Sequence, residues 1–245
     1  MINPVTEVRA FVDAALFRPV PRDHQQSDAA FRWRRICAAV TLLIGAALLG
    51  WSLQLPPGDP RFYWGTFALA AAWTVGAVAS GPLHLGRGWT RRGFAQQEGE
   101  NVPVVQALVL GLLLLGLFLA GAVVVAQIPF LRRPVEELLD HASVGSFWLV
   151  LVITAVNGIA EELYFRGALF AAIGRRHPVA ISTIVYTLVT ATSLIPLLTL
   201  AGALLGLVTG LQRRVTGGIL APTITHLTWS IGMLFLLQPT LDAFG

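Results

Sequence analysis

The chain contains no lysine and only one cysteine among its 245 residues. A single cysteine, Cys37, cannot form an intramolecular disulfide or a cysteine-based metal cage. Because lysine is absent, arginine supplies all 17 of the lysine and arginine positions. Arginine sets the orientation of a membrane protein as well as lysine does. Charged residues make up 12% of the chain, roughly half the share that is usual in soluble domains. This composition excludes an ordinary soluble domain.

Long apolar blocks, separated by short arginine runs, dominate the sequence. Hydrophobic residues make up 55% of the chain, and the mean hydropathy is +0.70. Because a membrane span needs roughly 20 predominantly apolar residues, the blocks predict an all-α fold, a polytopic transmembrane helical bundle of seven to eight spans. The seven predicted spans cover 34–55, 62–83, 104–128, 145 to the acidic pair described below, 179–195, 197–211 and 217–237. The piece 163–173 would supply an eighth span or a re-entrant turn.

The apolar blocks divide the chain into three parts. Residues 1–31 are expected to form a cytoplasmic N-terminal segment, and residues 32–128 three transmembrane helices. Residues 129–238 are expected to form the functional core. The connections predicted within these parts are a polar loop at 84–102 and a short amphipathic segment at 129–144.

The arginine runs predict the orientation, because cytoplasmic loops carry an excess of positive residues. If the spans alternate, one side collects Arg32/Arg34/Arg35, Arg87/Arg91/Arg92, Arg175/Arg176 and Arg213/Arg214. We expect this side to be the cytoplasm, with the N-terminus also cytoplasmic, in a multi-pass protein of the plasma membrane. The exceptions, on the other side, are Arg61 and the pair Arg132/Arg133. These runs account for the net charge of +4, so we expect membrane lipid and not nucleic acid as a partner.

Three glycines recur at every fourth position of the sixth predicted span, at Gly202, Gly206 and Gly210. Such spacing gives a helix a flat face on which a second helix can pack closely inside a membrane. We therefore interpret these glycines as a packing surface and not as part of a catalytic site.

One acidic and basic cluster interrupts the fourth apolar block. Between His141 and Arg175 the only formally charged residues are Glu161, Glu162 and Arg166. A charge at the centre of a membrane helix costs at least about 2.5–3.5 kcal/mol, so three together indicate either function or a device that locks helices together. On a helix, Glu162 and Arg166 share a face and can pair. Glu161 lies about 100° away and is free to act as a general base near neutral pH.

A second polar feature lies deep in the last apolar block. His226 follows Pro222, which suits the first turn of a helix, and precedes Ser230 by four residues, so that both share one helix face. A single intramembrane histidine can serve packing through a hydrogen bond, or it can take part in chemistry. The acidic pair in the same membrane region favours chemistry.

These residues resemble two motifs of a known family. The first is Glu161-Glu162-Leu-Tyr-Phe-Arg166, which resembles the EExxxR motif of the CPBP intramembrane proteases, also called the Abi family or the type II CAAX prenyl endopeptidases. The second runs from Arg213-Arg214 through Gly217-Gly218 to His226, and is similar to the closing motif of that family, a glycine-rich turn and an apolar run before HxxxN. The resemblance covers about residues 140–238 and identifies 129–238 as a CPBP-like protease core.

The resemblance implies a role for each residue. In the family, the first glutamate activates water for attack on a peptide bond, together with a histidine from an FxxxH motif on the next span. The last-span histidine and its asparagine hold the oxyanion, and the second glutamate and the arginine brace the site. Carried over, Glu161 would be the catalytic base facing His226, His226 an oxyanion donor, and Glu162 with Arg166 the brace.

This chain departs from the family pattern at two positions. Where the middle motif has S-x-x-x-F-x-x-x-H, the chain has Ser182, Tyr186 and Thr190, and Ser230 replaces the closing asparagine. Threonine can donate a hydrogen bond but cannot take up a proton near neutral pH. Loss of one acid–base partner typically lowers the rate about 10²–10⁴-fold, so we expect weakened activity. The remaining histidines, His84, His141 and His177, fall in predicted connections.

Three functions are compatible with the sequence. The first is an intramembrane endopeptidase of the glutamate/histidine type, acting on a membrane-associated protein or peptide as CAAX proteases do. The second is a catalytically silent relative that binds a hydrophobic peptide or protein partner, and the third a small proton-coupled transporter. Tyr186, Thr190 and Ser230 would support the site in the first case. We expect no cofactor and no metal, because catalytic zinc wants three protein ligands and the two adjacent carboxylates diverge on a helix.

Overall fold

The computed structural model of the protein describes residues 3–22, 25–92, 97–144 and 146–245, without the side chains of 90–98. Its helices are α1 (Pro4–Val12), α2 (Asp28–Leu53), α3 (Pro60–Ala79), α4 (Val104–Ala126), α5 (Pro129–Ser143), α6 (Phe147–Glu162), α7 (Phe170–Ile173), α8 (Pro178–Ala191), α9 (Pro196–Thr216) and α10 (Leu220–Phe244). Two segments are wound as π-helices, Asp13–Phe17 after α1 and Leu163–Leu169 between α6 and α7. A two-stranded antiparallel hairpin, β1 (Gly88–Arg92) and β2 (Gln97–Asn101), connects α3 to α4.

The predicted all-α transmembrane bundle is confirmed. Within the described ranges, six helices are long and apolar enough to cross a membrane, and the shorter apolar helix α8 is a seventh candidate. The six are Asp28–Leu53, Pro60–Ala79, Val104–Ala126, Phe147–Ile173, Pro196–Thr216 and Leu220–Phe244. The alternative of a separate eighth span at 163–173 is not found, because these residues continue the helix that begins at Phe147, and the chain turns at Gly174, where φ is +84°. Gly145, where the fourth predicted span begins, lies outside the described residues.

Small residues allow the helices to approach each other closely. Helices α2 and α3 meet where Gly45 of α2 leaves room for the indole of Trp73, a fully buried side chain that stacks on Tyr164 at 4.4 Å between ring centroids. Helices α8 and α9 meet along the predicted glycine face, where a Cβ atom on Gly202 would lie only 2.8 Å from Thr190 Oγ1. Close approach increases the van der Waals contact between the helices. This contact matters in a membrane, because apolar side chains gain little by leaving lipid for another helix.

One end of the bundle gathers the arginine runs. Arg34 at the start of α2 donates from Nη1 to Ser80 Oγ at 3.3 Å and from Nη2 to the carbonyl of Pro82 at 3.1 Å, just beyond α3. The amide of Val20 donates to the carbonyl of Val215 near the end of α9 at 2.9 Å. We call this the arginine-rich end. Its cytoplasmic location stays a prediction.

The opposite end is closed by the predicted amphipathic connection, which is the helix α5. His141 lies within this helix, in the connection where the sequence placed it, and its Nε2 is 3.0 Å from the carbonyl oxygen of Leu55. Arg132 of α5 forms ion pairs with Glu136 and with Asp242 near the end of α10. The acidic partners explain why Arg132, an exception to the orientation pattern, is accommodated at this end.

The predicted polar loop at 84–102 contains the β1–β2 hairpin, with Gly88 paired to Asn101 and Arg92 to Gln97. Its sequence lacks the alternating apolar residues that predict strands. Trp89 fixes the hairpin instead, since its Nε1 donates to the carbonyl of Pro19 at 3.3 Å and its ring lies 4.4 Å below the guanidinium of Arg18. A two-stranded ribbon of polar residues is thus stabilised by contact with the N-terminal segment.

Candidate active site

The two acidic residues occupy the last turn of α6, and their side chains diverge. Glu162 is fully buried, whereas Glu161 is only partly buried. The helix continues beyond them in the π-helical segment Leu163–Leu169, a winding that is frequent at functional sites. The different exposure of two neighbouring carboxylates gives them different chemical possibilities.

Glu162 pairs with Arg166, as the spacing predicted. Arg166 Nη1 lies 3.2 Å from Glu162 Oε1, and the two side chains are 1% and 0% exposed. The contact is electrostatic, because Nη1 and Nε of Arg166 lack a well-aligned hydrogen bond within the described part of the chain. The guanidinium lies 4.6 Å from the centroid of the Tyr186 ring, which adds a cation–π contact on α8.

Glu162 also binds His226, which corrects the expected geometry. His226 Nδ1 is 2.8 Å from Glu162 Oε1, so the histidine expected to face Glu161 is held by the second glutamate. An imidazole facing a carboxylate donates from Nδ1 and leaves Nε2 for other partners. Gly158 of α6 allows α10 to pack closely, because a Cβ there would lie 3.0 Å from Leu227 Cδ2, the neighbour of His226. No hydrogen bond joins Glu161 to His226 in the part of the chain that the structure describes.

Glu161 has Tyr186 as its direct partner. The Tyr186 hydroxyl donates to Glu161 Oε2 at 2.6 Å, a short charge-assisted bond. Gly206 of α9 makes room for this tyrosine, since a Cβ there would lie 3.1 Å from Tyr186 Cδ1. The sequence ranked Tyr186 as a supporting residue by its place in the middle motif, and the structure gives it a contact to the candidate base.

Thr190 lies one turn beyond Tyr186 and is buried. Its hydroxyl donates to the carbonyl of Tyr186 at 2.9 Å, so its hydrogen is used within α8. The structure describes no hydrogen bond between Thr190 and either glutamate. Among the other histidines, His141 lies at the opposite end of the bundle beside Leu55, and His177 precedes the first turn of α8.

Several buried polar atoms near the cluster have no hydrogen-bond partner in the described part of the chain. Ser230 Oγ lies one helical turn beyond His226, and the indole nitrogen of its neighbour Trp229 is also unpaired. Asn157 lies one turn before Glu161 on α6. Its Nδ2 donates to the carbonyls of Thr66 and Ile153, whereas its Oδ1 is free. Unpaired buried groups are costly and are available to a bound polar molecule.

Two of these contributors were missed in the sequence. Arg213 had been assigned to orientation and to the start of the closing motif but not to the site, yet it is buried and its Nε donates to the carbonyl of Arg166 at 2.5 Å. Asn157 is the only side-chain amide in the fourth apolar block and stands four residues before Glu161. Its isolation and spacing were the signals that could have identified it.

A group of three or more histidine, cysteine, aspartate or glutamate side chains suited to a metal ion is not found in the ranges described above. The absence of a metal and of any other cofactor stays a prediction.

The fold and the cluster together define a polytopic helical membrane protein with a buried Glu-His-Arg constellation. Residues 143–232 match the family model of the Type II CAAX prenyl endopeptidase Rce1-like proteins. The resemblance to the CPBP family is therefore confirmed over this segment. The segment contains the contact residues from Asn157 to Ser230. Comparisons with curated proteins and with solved structures gave no match.

Proposed function

We propose that the protein is an intramembrane endopeptidase of the glutamate/histidine type, acting on a membrane-associated protein or peptide. The observation that carries the proposal is the division between the two carboxylates. Glu162 is enclosed by Arg166 and His226, while Glu161 is partly accessible and bound by one hydroxyl group. Each carboxylate thus contacts a hydrogen-bond donor or a cationic side chain, which offsets part of the cost of burying it in an apolar bundle.

Glu161 is proposed to take a proton from water as the water oxygen bonds to the carbonyl carbon of the scissile peptide. The carbonyl oxygen then becomes an oxyanion, which collapses as the carbon–nitrogen bond breaks. The proton held by Glu161 passes to the leaving amine, so the reaction consumes one water and regenerates the carboxylate. The Tyr186 hydroxyl orients Glu161 through the 2.6 Å bond.

His226 is proposed to stabilise the oxyanion. Its Nδ1 is bound to Glu162, so its Nε2 can donate a hydrogen bond only when the ring is protonated. Glu162 accepts the Nδ1 hydrogen and so orients the ring, as the buried aspartate does in serine proteases. Ser230, which replaces the family asparagine, offers a second donor one turn away.

Thr190 is proposed to weaken the activity without abolishing it. Because a threonine cannot accept the proton that the family histidine handles, Glu161 would work with the hydroxyl of Tyr186 alone. A decrease of about 10²–10⁴-fold relative to a two-residue acid–base pair is expected.

The test is cleavage of a membrane-anchored reporter peptide by the purified protein in liposomes. Glu161→Gln should lower the initial rate at least about 10²-fold. Glu137→Gln is the matched control, because this exposed acid lies in α5 and should leave the rate unchanged. An unaltered rate in Glu161→Gln would remove Glu161 from the mechanism.

A catalytically silent relative is the second candidate, favoured by the bond between the Thr190 hydroxyl and the α8 backbone. The variant Thr190→His separates the two proposals in the same liposome assay. Cleavage that appears only in Thr190→His would establish that the wild-type protein is catalytically silent, whereas cleavage by the wild-type chain excludes this candidate.

A further inference from the structure

A cavity lies at the arginine-rich end of the bundle, outside the candidate active site. Its volume is about 600 Å³, and neither glutamate nor His226 lines it. The polar part of its lining consists of Arg22, Arg175, Arg214 and His177, and no acidic residue contributes. Such a lining attracts an anion.

The three guanidinium groups lack acidic partners among the described residues. Arg22 donates from Nη1 to the carbonyl of Arg214 at 2.6 Å, which places it against the end of α9. Partial burial of its guanidinium lowers the pKa of Arg22, although the residue as a whole is exposed. Arg214 Nε is buried and has no hydrogen-bond partner among the residues that the structure describes. These groups carry hydrogen-bond donors that an incoming anion could use.

The first turn of α8 adds backbone donors to the same cavity. His177 precedes the helix in a left-handed conformation, with φ +48°, and its side chain does not cap the turn. The amides of Val179 and Ala180 belong to the first turn, whose N–H groups have no intrahelical acceptor. Both residues line the cavity, so the positive end of the helix dipole and the arginines act on the same space.

The remaining wall is apolar and leads towards lipid. Phe170, Leu207 and Leu211 line it, and Leu207 is 44% exposed on the outer face of α9. A ligand that joins a phosphate group to a hydrocarbon chain satisfies both halves of this lining. A single carboxylate at the end of a peptide would use fewer of the donors.

We propose that this cavity binds the phosphate group of an anionic phospholipid, with an acyl chain lying along Leu207 and Leu211. The arginines and the first turn of α8 hold the headgroup at the membrane surface. The site is separate from the proposed peptidase chemistry and does not depend on it.

The test counts the lipids that the purified chain retains in native mass spectrometry, with phosphatidylglycerol or phosphatidylcholine supplied. Phosphatidylglycerol should bind more tightly, and Arg175→Gln should weaken it about tenfold, the effect of one charge-assisted hydrogen bond. Arg176→Gln is the matched control, because this neighbouring arginine is also exposed but does not line the cavity. Equal losses in the two variants, or equal retention of both lipids, would overturn the proposal.

Two further arms identify the source of the phosphate. Leu207→Ala should weaken phosphatidylglycerol several-fold, about the effect of one or two buried methylene groups, and leave inorganic phosphate unaffected. If inorganic phosphate competes as strongly as the lipid and Leu207→Ala changes nothing, the ligand is a soluble phosphate and the lipid assignment fails. It also fails if a peptide with a free carboxyl terminus displaces the lipid more effectively than inorganic phosphate does.

Discussion

Glutamine at position 162 would keep the shape of the side chain but remove its negative charge. Arg166, which is 1% exposed, would then be a buried cation without its acidic neighbour. Breaking a buried ion pair at one partner costs about 3–5 kcal/mol, so the free energy of unfolding of Glu162→Gln should fall by about that amount. The measurement is SDS-induced unfolding of the protein in detergent micelles, followed by circular dichroism.

The same substitution at the neighbouring position should behave differently. Glu161 is partly exposed, and the amide oxygen of a glutamine can still accept the hydrogen bond from Tyr186. Glu161→Gln should therefore change the free energy of unfolding by no more than about 1 kcal/mol. The two variants differ by one position in the chain, which makes each the control for the other.

A double substitution tests the cause of the loss. Glu162→Gln/Arg166→Met removes both charges, and replacing a buried pair by uncharged groups is often neutral. The double variant should recover part of the stability lost in Glu162→Gln. Equal stability of Glu161→Gln and Glu162→Gln, or no recovery in the double variant, would refute the assignment of Glu162 and Arg166 as the brace.

Three other predictions concern the contacts around the site and the orientation. Tyr186→Phe should retain the fold and lower the initial rate of reporter cleavage in liposomes about tenfold, which is the effect of losing one hydrogen bond to a charged group. An unchanged rate would contradict the orienting role of Tyr186. Gly202→Leu should lower the free energy of unfolding in the SDS assay, because a Cβ there would lie 2.8 Å from Thr190. Gly116→Leu should be tolerated, because no described atom lies within 4 Å of a Cβ at that position. Equal effects of the two variants would contradict close α8–α9 packing. In a Cys37→Ala background, a membrane-impermeant thiol reagent added outside intact cells should label Arg133→Cys but not Arg176→Cys, and the reverse pattern would invert the proposed orientation.

The spans and the contact between Glu162 and Arg166 were predictable because they depend on composition and helical spacing. Apolar blocks of sufficient length give spans in any bundle, and the spacing of Glu162 and Arg166 places them on one face in any helix. The packing role of the glycine face was predictable for the same reason, because the spacing of Gly202 and Gly206 places both on one side of the helix. The range matched by the family model, 143–232, includes these residues.

The partners of the individual side chains could not be predicted, because they depend on how helices meet. His226 was expected beside Glu161 but is bound to Glu162. That choice depends on how α10 packs against α6, where Gly158 leaves room for Leu227 beside His226. Arg213 and Arg214 are adjacent and could not be distinguished by sequence, yet only Arg213 donates a hydrogen bond to the carbonyl of Arg166 among the described contacts. The hairpin at Trp89 is stabilised by the distant N-terminal segment, a contact that no local pattern encodes.

The most direct test of the central claim is reporter cleavage by the wild-type protein in isotopically labelled water, with the products analysed by mass spectrometry. The account predicts slow cleavage that places one labelled oxygen in the new carboxyl terminus, and no product above background with Glu161→Gln. No cleavage by the wild-type chain, or labelled product formed equally fast by Glu161→Gln, would contradict it.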